Sequence, residues 1–343
     1  MEADGPIGLK QKKIFIIGGS GSLGNKLIET YLQDNILICY SRDECKHWEM
    51  SLRYKSPNLR FIIGDIRDHN RLEISLLRED PHIVIITAAL KHVDRCEYAT
   101  NECILTDLIG PQNVVNIVER HRAILPSFET VCFVSTDKAC NPVSVYGMCK
   151  ALAETLLTEK SYYMKDVKFV SVRYGNVLNS RGSIIPILHQ LGRDSSVDAF
   201  PLTDERMTRF ILPLDDCVRL IEHAILKAES GDIVIAKSVA IRIRDLVSIF
   251  SDLYGKPIRI TGHRAGEKVD ESLVNETQAE RLVDDGAYLH IKPCYRGHVS
   301  MNDAHEYNSA SAPITKEHLR ALLLSLSLIQ DPPLPSRPCA VDQ

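Results

Sequence analysis

The amino-acid sequence predicts an α/β fold: a doubly wound, mainly parallel sheet carrying a smaller mixed α/β lobe. Short runs rich in β-branched residues recur, each nearly continuous in apolar character, at 14–18, 36–40, 60–65, 83–88, 131–135 and 168–174. Strands buried on both faces of a parallel sheet read this way. Stretches of helical periodicity separate the runs, with Leu23, Leu27, Tyr31 and Leu32 on one face and Tyr146, Lys150, Ala153 and Leu157 on another. Alternation of this kind is the signature of crossover-linked parallel strands.

After Asn179 the alternation loosens. Residues 182–210 read as a helix, a turn and an irregular segment. Residues 214–230 form a strongly amphipathic helix, 231–238 a further strand, 241–293 a mixture of short elements and 314–329 a late helix. The expected division is an N-terminal extension (1–11), a dinucleotide domain (12–178 plus about 210–238), a capping lobe (about 179–209 plus 239–330) and a proline-rich disordered tail (331–343).

Composition bounds the function. The chain has 343 residues, 44% hydrophobic and 25% charged, with a formal net charge of −4. That near-neutral balance gives no electrostatic reason to expect nucleic acid or an anionic membrane as partner. Ten cysteines are scattered without a CxxC pair or a Cys/His set at zinc spacing, so reduced thiols and no metal are expected. No apolar run has signal-peptide or membrane-span length. The expected compartment is the cytoplasm.

The first strand runs into a glycine turn, Gly18, Ser20, Gly21, Ser22, Leu23 and Gly24, and then a helix. Glycine lets the backbone approach a pyrophosphate, and the helix N-terminus offers free N–H groups to it. A Rossmann-type dinucleotide site follows. At the end of the second strand Ser41, Arg42, Asp43, Glu44 and Lys46 replace the single acidic residue usual for NAD. Arg42 and Lys46 suit a 2′-phosphate, which predicts NADP. The alternative is a surface Arg42 paired with Asp43 or Glu44. Asp65 and Ile66 follow the third strand, at the expected adenine edge, and Ala88 the fourth, where a small residue lets the cofactor pass.

The stretch Ser135–Lys150 carries the chemistry. Tyr146 and Lys150 are one helical turn apart. A phenol beside an ammonium and a positive nicotinamide ring is expected to lose its proton more readily than its reference value of about 10 implies. Thr136 can hydrogen-bond the substrate oxygen. Asp137 and Lys138 are a second, adjacent acid–base pair. Their alternative role is a strand-end salt bridge.

From about residue 12 to 330 the chain resembles the extended short-chain dehydrogenase/reductases. Within them it is similar to the polysaccharide-biosynthesis branch of nucleotide-sugar 4,6-dehydratases, the group that inverts carbon 5 of UDP-N-acetylglucosamine. The segments GGSGSLG, SRDE, AALKHV, STDKACNPVSVYGMCK, VRYGNVLNSRGS, MTRF and HRAGEKVDE carry the resemblance. It implies NADP-dependent oxidation at carbon 4, loss of water across carbons 5 and 6, and return of hydrogen to carbon 6. Asp137 would assist the departing hydroxyl and Lys138 would act on carbon 5, where retaining relatives carry Asp-Glu. A lysine base must be neutral, so its pKa must fall from about 10.4, helped by desolvation and Lys150 and opposed by Asp137.

The resemblance also implies cofactor contacts from Thr106, Asp107, Val177, Leu178, Asn179, Ser180 and Arg181. Substrate contacts are implied for Lys91, Asn176, Ile184, Arg209, Arg264 and Glu267, with Arg264 on a diphosphate and Glu267 on a ribose hydroxyl. Arg209 could instead brace the two lobes. Asp107 stands where asparagine is common, Asn179 where glycine is usual, and Ala236 where proline is frequent. A homo-oligomer, dimer or hexamer, is implied as well. The competing functions are a UDP-sugar 4-epimerase, which leaves Asp137 and Lys138 without a task, and a non-enzymatic NADP-binding regulator.

Overall fold

The computed structural model describes residues 8–264, 266–297 and 305–330, so the expected tail (331–343) lies outside the described residues. The first part alternates as β1 (Lys13–Ile17), α1 (Ser22–Tyr31), β2 (Ile36–Ser41), α2 (Glu44–Tyr54), β3 (Leu59–Ile63), α3 (His69–Glu79) and β4 (Ile83–Ile86). Helices α4 (Val93–Tyr98), α5 (Thr100–Ile104) and α6 (Gly110–His121) lead to β5 (Thr130–Val134), α7 (Val145–Tyr163) and β6 (Lys168–Arg173). Beyond it come β7 (Asn176–Val177), α8 (Ile184–Arg193), β8 (Phe200–Leu202), β9 (Thr208–Leu212), α9 (Leu214–Leu226), β10 (Ile233–Ala236), β11 (Val239–Arg242) and α10 (Ile243–Tyr254). The last are β12 (Ile258–Ile260), β13 (Ser272–Val274), α11 (Glu276–Ala279), β14 (Leu282–Asp285), β15 (Tyr288–Ile291), β16 (Tyr307–Asn308) and α12 (Lys316–Ser325).

The main sheet has the order β14-β15-β10-β6-β5-β4-β1-β2-β3. Strands β3 to β10 in that row pair in parallel, as expected for runs apolar on both faces. Alternate residues feed two cores. Ile14 and Ile16 pack with Leu27, Ile28, Leu220 and Ile221 of α1 and α9, while Phe15 and Ile17 pack with Leu72, Leu76, Val114 and Val118 of α3 and α6. Each fully buried side chain of this size contributes about 1.5–3 kcal/mol. The strand order reverses between β1 and β4, and a doubly wound sheet binds its ligand in the crevice outside that reversal.

Two expectations about the division of the chain are corrected. The hairpin β14–β15, assigned to the capping lobe, extends the main sheet antiparallel to β10. Leu289 and Ile291 bury themselves with Ile233 and Ile235 and cover what would otherwise be an open edge. Strand β9, lying across the expected boundary near residue 210, leaves the main sheet and pairs with β7 and β11. The smaller lobe builds its own core from α8, α10 and α12, around Leu188, Leu246, Phe250 and Leu323.

Candidate active site

Above the reversal lies a cavity of about 950 Å³, walled by the glycine turn, the ends of β4 to β6 and the smaller lobe. Gly18 has φ +89°, and a Cβ there would stand 2.7 Å from the backbone nitrogen of Ala88. A Cβ on Gly24 would meet the Gly19 backbone at 2.5 Å, so α1 starts hard against the turn. No side chain caps α1, which leaves the amides of Ser22, Leu23 and Gly24 at the cavity wall. Gly18, Ser20 and Ala88 do not line the cavity themselves, and Gly18 is packed against Ala88. This cradle, closed to any Cβ and rich in free N–H donors, fits the pyrophosphate of a dinucleotide.

The expected basic pocket divides. Asp43 caps α2 by accepting from the Lys46 amide at 3.1 Å, and it also holds the Lys46 ammonium, so Lys46 is already committed. Arg42 does not pair with Asp43 or Glu44. It stays 58% exposed, with Asp65 3.7 Å away, and Asp65 is gripped more closely by Arg67 at 2.6 Å. Ser41 shares hydrogen bonds with Ser20 (2.9 Å) and His47 (2.6 Å). Ile66 is buried below, against Gly110.

At the centre, Thr136 lies two residues beyond the end of β5 and caps a short 3-10 turn, Asp137–Ala139, that leads toward α7. Ser144 caps α7 by accepting from the Gly147 amide at 3.1 Å. A Cβ on Gly147 would lie 2.3 Å from the Lys138 carbonyl oxygen, so the helix carrying Tyr146 presses directly on the turn carrying Asp137 and Lys138. Thr136, Asp137, Lys138, Tyr146 and Lys150 all line the cavity. Asp137 does not point to bulk solvent: its side chain is 1% exposed. Its Oδ1 accepts from the Thr136 hydroxyl (2.9 Å) and from Lys138 Nζ (3.0 Å), and its buried Oδ2 has no partner.

Electrostatics bear on two expectations. Burial, then Asp107, raises the Tyr146 phenol, with the Thr136 hydroxyl opposing. Lys150 does not ease that proton off in the chain itself. It donates instead to the Val134 carbonyl at 2.6 Å, and burial lowers its pKa to about 8. Lys138 goes the other way. Burial lowers its pKa, but Asp137 and Glu271 outweigh burial and the net shift is upward. These two carboxylates therefore favour the ammonium form of Lys138, against the neutral base that the resemblance implies.

Glu271 is a charged neighbour of Lys138 that sequence reasoning missed. It is 1% exposed, and its Oε1 lies 3.4 Å from Lys138 Nζ. Its only signal was a place at the end of HRAGEKVDE, 133 positions beyond Lys138. Arg209 is corrected: its guanidinium donates to the carbonyls of Thr208, Val269 and Lys268 at 2.7–2.8 Å and braces the smaller lobe instead of facing the cavity. Lys91, Asn176, Val177, Leu178, Ser180, Arg181, Ile184, Arg264 and Glu267 do line the cavity. Arg181 reaches the glycine turn, donating from Nη2 to the Ser20 carbonyl at 3.3 Å. Thr106 and Asp107 are buried behind the wall.

Residues 14–293 match the family described as polysaccharide biosynthesis protein. The chain belongs to that family. It is 36% identical over 290 residues to a UDP-N-acetylglucosamine 4,6-dehydratase (inverting) of Campylobacter jejuni, covering 82% of this chain and 83% of that protein. It is 33% identical over 342 residues to a UDP-glucose 4-epimerase of Rickettsia felis, covering 93% and 97%. The solved structure of Pen from Bacillus thuringiensis has a TM-score of 0.85 at 30% identity, covering 94% of this chain and 99% of that one. DesIV, a dTDP-glucose 4,6-dehydratase from Streptomyces venezuelae solved with NAD and TYD, shares the fold at a TM-score of 0.65 and 20% identity, covering 75% and 86%. Among the described residues, no helix is long and apolar enough to cross a membrane.

Two departures from the polysaccharide-biosynthesis pattern now have a structural account. Asn179 adopts φ +56°, the left-handed conformation that glycine takes readily and asparagine tolerates. Asp107 accepts from the Leu90 amide at 2.9 Å, and burial raises its pKa to about 6 despite Lys150. An acid raised in the fold favours the folded state below its unfolded value of 3.8 and loses that advantage as pH climbs through 6. Asp107→Asn keeps an acceptor for Leu90 and removes the charge. Its stability relative to the parent should rise between these values and stay on the order of 3 kcal/mol higher above them. Urea midpoints on both sides of the window check this; a pH-independent difference would contradict it.

Proposed function

We propose that this protein dehydrates UDP-N-acetylglucosamine, using NADP, to a UDP-4-keto-6-deoxy-hexosamine inverted at carbon 5. The observation that carries the reading is the ion pair of buried Asp137 with Lys138, which shares one cavity with Tyr146 and Lys150. A redox site alone needs only the second couple. The nicotinamide dinucleotide, when bound, supplies the acceptor for hydrogen at carbon 4 and returns it at carbon 6. The amides of the glycine turn would hold its pyrophosphate, and exposed Arg42 would meet the 2′-phosphate that distinguishes NADP from NAD.

The chain's own side chains then move protons. Tyr146 relays the carbon 4 hydroxyl proton, with Thr136 orienting that oxygen. The ketone formed at carbon 4 acidifies carbon 5, and the unpartnered Oδ2 of Asp137 takes its proton. Lys138 gives a proton from Nζ to the carbon 6 hydroxyl, which leaves as water. Asp137 then releases that proton to solvent, and Lys138, reprotonated from solvent, delivers a proton to the opposite face of carbon 5. The two protons released, from the carbon 4 hydroxyl and from Asp137, balance the two that Lys138 draws from solvent. This reverses the resting roles that the family resemblance gave the pair. Arg264 and Glu267 at the far wall suit the diphosphate and ribose of the nucleotide.

Incubation with UDP-N-acetylglucosamine in deuterated water tests the reading. The expected product is lighter by one water before isotope correction, carries deuterium at carbon 5 and has inverted configuration there. The longer match to an epimerase favours a second reading, UDP-sugar 4-epimerisation. Its product would keep the substrate's mass, and in that case the Asp137–Lys138 pair would have no catalytic task. The outer face of α7, with Met148, Leu152 and Tyr163 exposed, suits self-association into a homo-oligomer, and the expected site of action is the cytoplasm.

A further inference from the structure

The smaller lobe delivers a carboxylate to the catalytic turn. Glu271 is buried between two ammonium groups, with Oε1 3.4 Å from Lys138 Nζ and Oε2 2.9 Å from Lys268 Nζ. With the 3.0 Å contact between Lys138 and Asp137, this forms a row of two carboxylates and two ammoniums whose charges cancel. A buried carboxylate without such partners would be strongly disfavoured.

The row is rigidly mounted. The Glu271 amide donates to Ser309 Oγ at 2.9 Å, and Ser309 N donates back to the Glu271 carbonyl at 2.8 Å. Thr208 Oγ1 donates to Asp270 Oδ1 at 2.7 Å, while Arg209 holds the carbonyls of Lys268 and Val269. Lys268 Nζ also donates to the Cys140 carbonyl at 3.0 Å, on the chain leaving the catalytic turn. The fixed backbone of residues 268–271 thus clamps the turn that carries Asp137 and Lys138.

We propose that Glu271 is the positioning residue for Lys138. Its carboxylate holds the Lys138 ammonium against Asp137, so the proton donor of elimination is assembled only when the smaller lobe is seated on the main sheet. This deepens the dehydratase reading and, for its effect on turnover, rests on it. Four charged groups bear on Lys138: Asp137 on its own turn, Glu271 and, behind it, Lys268 on the smaller lobe, and Arg209 on β9. Removing Glu271 leaves one carboxylate against the ammonium, so the proton should leave Lys138 at lower pH.

The test uses the full chain carrying Glu271→Gln or Glu271→Asp, with circular dichroism to verify folding. Competitive acetylation of Lys138 as a function of pH, read by mass spectrometry, needs no substrate. The midpoint for Glu271→Gln should fall by at least about one pH unit, a tenfold change in proton affinity, with Glu271→Asp in between. In turnover of UDP-N-acetylglucosamine, kcat should drop about 100-fold for Gln with KM nearly unchanged, and Asp should recover part of the loss. An unchanged Lys138 midpoint together with near-parental kcat overturns the proposal. If the parental chain does not dehydrate the sugar, the dehydratase reading fails, and the acetylation midpoint alone decides whether Glu271 governs Lys138. If Gln does not fold, Asp alone carries the comparison, and an Asp variant identical to the parent in both readouts overturns it.

Discussion

Asp137→Asn should stop water loss while leaving oxidation at carbon 4 in place. The amide keeps an oxygen to accept from Thr136, now 2.9 Å from Asp137 Oδ1, and replaces the unpartnered Oδ2 with a group that cannot take a proton. Lys138 retains Glu271 as counter-charge, so the turn stays folded. A positioned general base contributes about 10²–10⁴-fold, and release of dehydrated product should fall by that much. Tyr146, Thr136 and Lys150 are untouched, so substrate should still bring up the near-ultraviolet absorbance of the reduced nicotinamide and then stall. Stopped-flow absorbance with mass analysis of the product separates the two stages. Loss of both stages together would show that Asp137 serves the whole site and has no special part in elimination.

Much of this site was legible because its physics is local. Gly18 and Gly24 are spaced for one turn, Tyr146 and Lys150 for one helix face, and Asp137 and Lys138 are neighbours in the chain. Spacing alone brings such residues together. The parallel strands were legible for a similar reason, since burial on both faces leaves an unbroken apolar run, as in Ile83–Ile86. The hairpin β14–β15 was not, because Leu282–Asp285 and Tyr288–Ile291 carry no unbroken apolar run, and only the partner strand β10 assigns it to the main sheet. Glu271 was missed because its meaning depends on a distant lysine. The resting charge of Lys138 was misjudged for the same reason, since one of the two carboxylates that set it lies on another lobe. Arg209 looked like a ligand contact until its donors were seen to end on backbone carbonyls.

Arg173→Met should cause the largest loss of stability of any single change considered. Arg173 ends β6, is wholly buried, and donates to both oxygens of Glu154 on α7, at 3.1 and 2.6 Å. Its remaining nitrogen donates to the Leu273 carbonyl of β13 at 2.7 Å and to Gln278 Oε1 at 2.9 Å. One side chain therefore ties the main sheet, the helix carrying Tyr146 and Lys150, and the strand that follows Glu271. Methionine fills the space but strands a buried carboxylate, a change that costs about 3–5 kcal/mol. Thermal melting should shift down by on the order of 10 °C. Adding Glu154→Leu removes the stranded charge and should restore most of the stability, because well-packed apolar groups replace buried ion pairs at little net cost. Activity should not return with it. The Leu273 carbonyl still lacks its donor, β13 is no longer anchored to β6, and Glu271 two residues upstream loses its fixed approach to Lys138. A double variant that regains turnover along with its melting temperature would show that Arg173 stabilises the fold without helping to aim the site, and a single variant that loses less than about 1 kcal/mol would show that the pair is no net anchor at all.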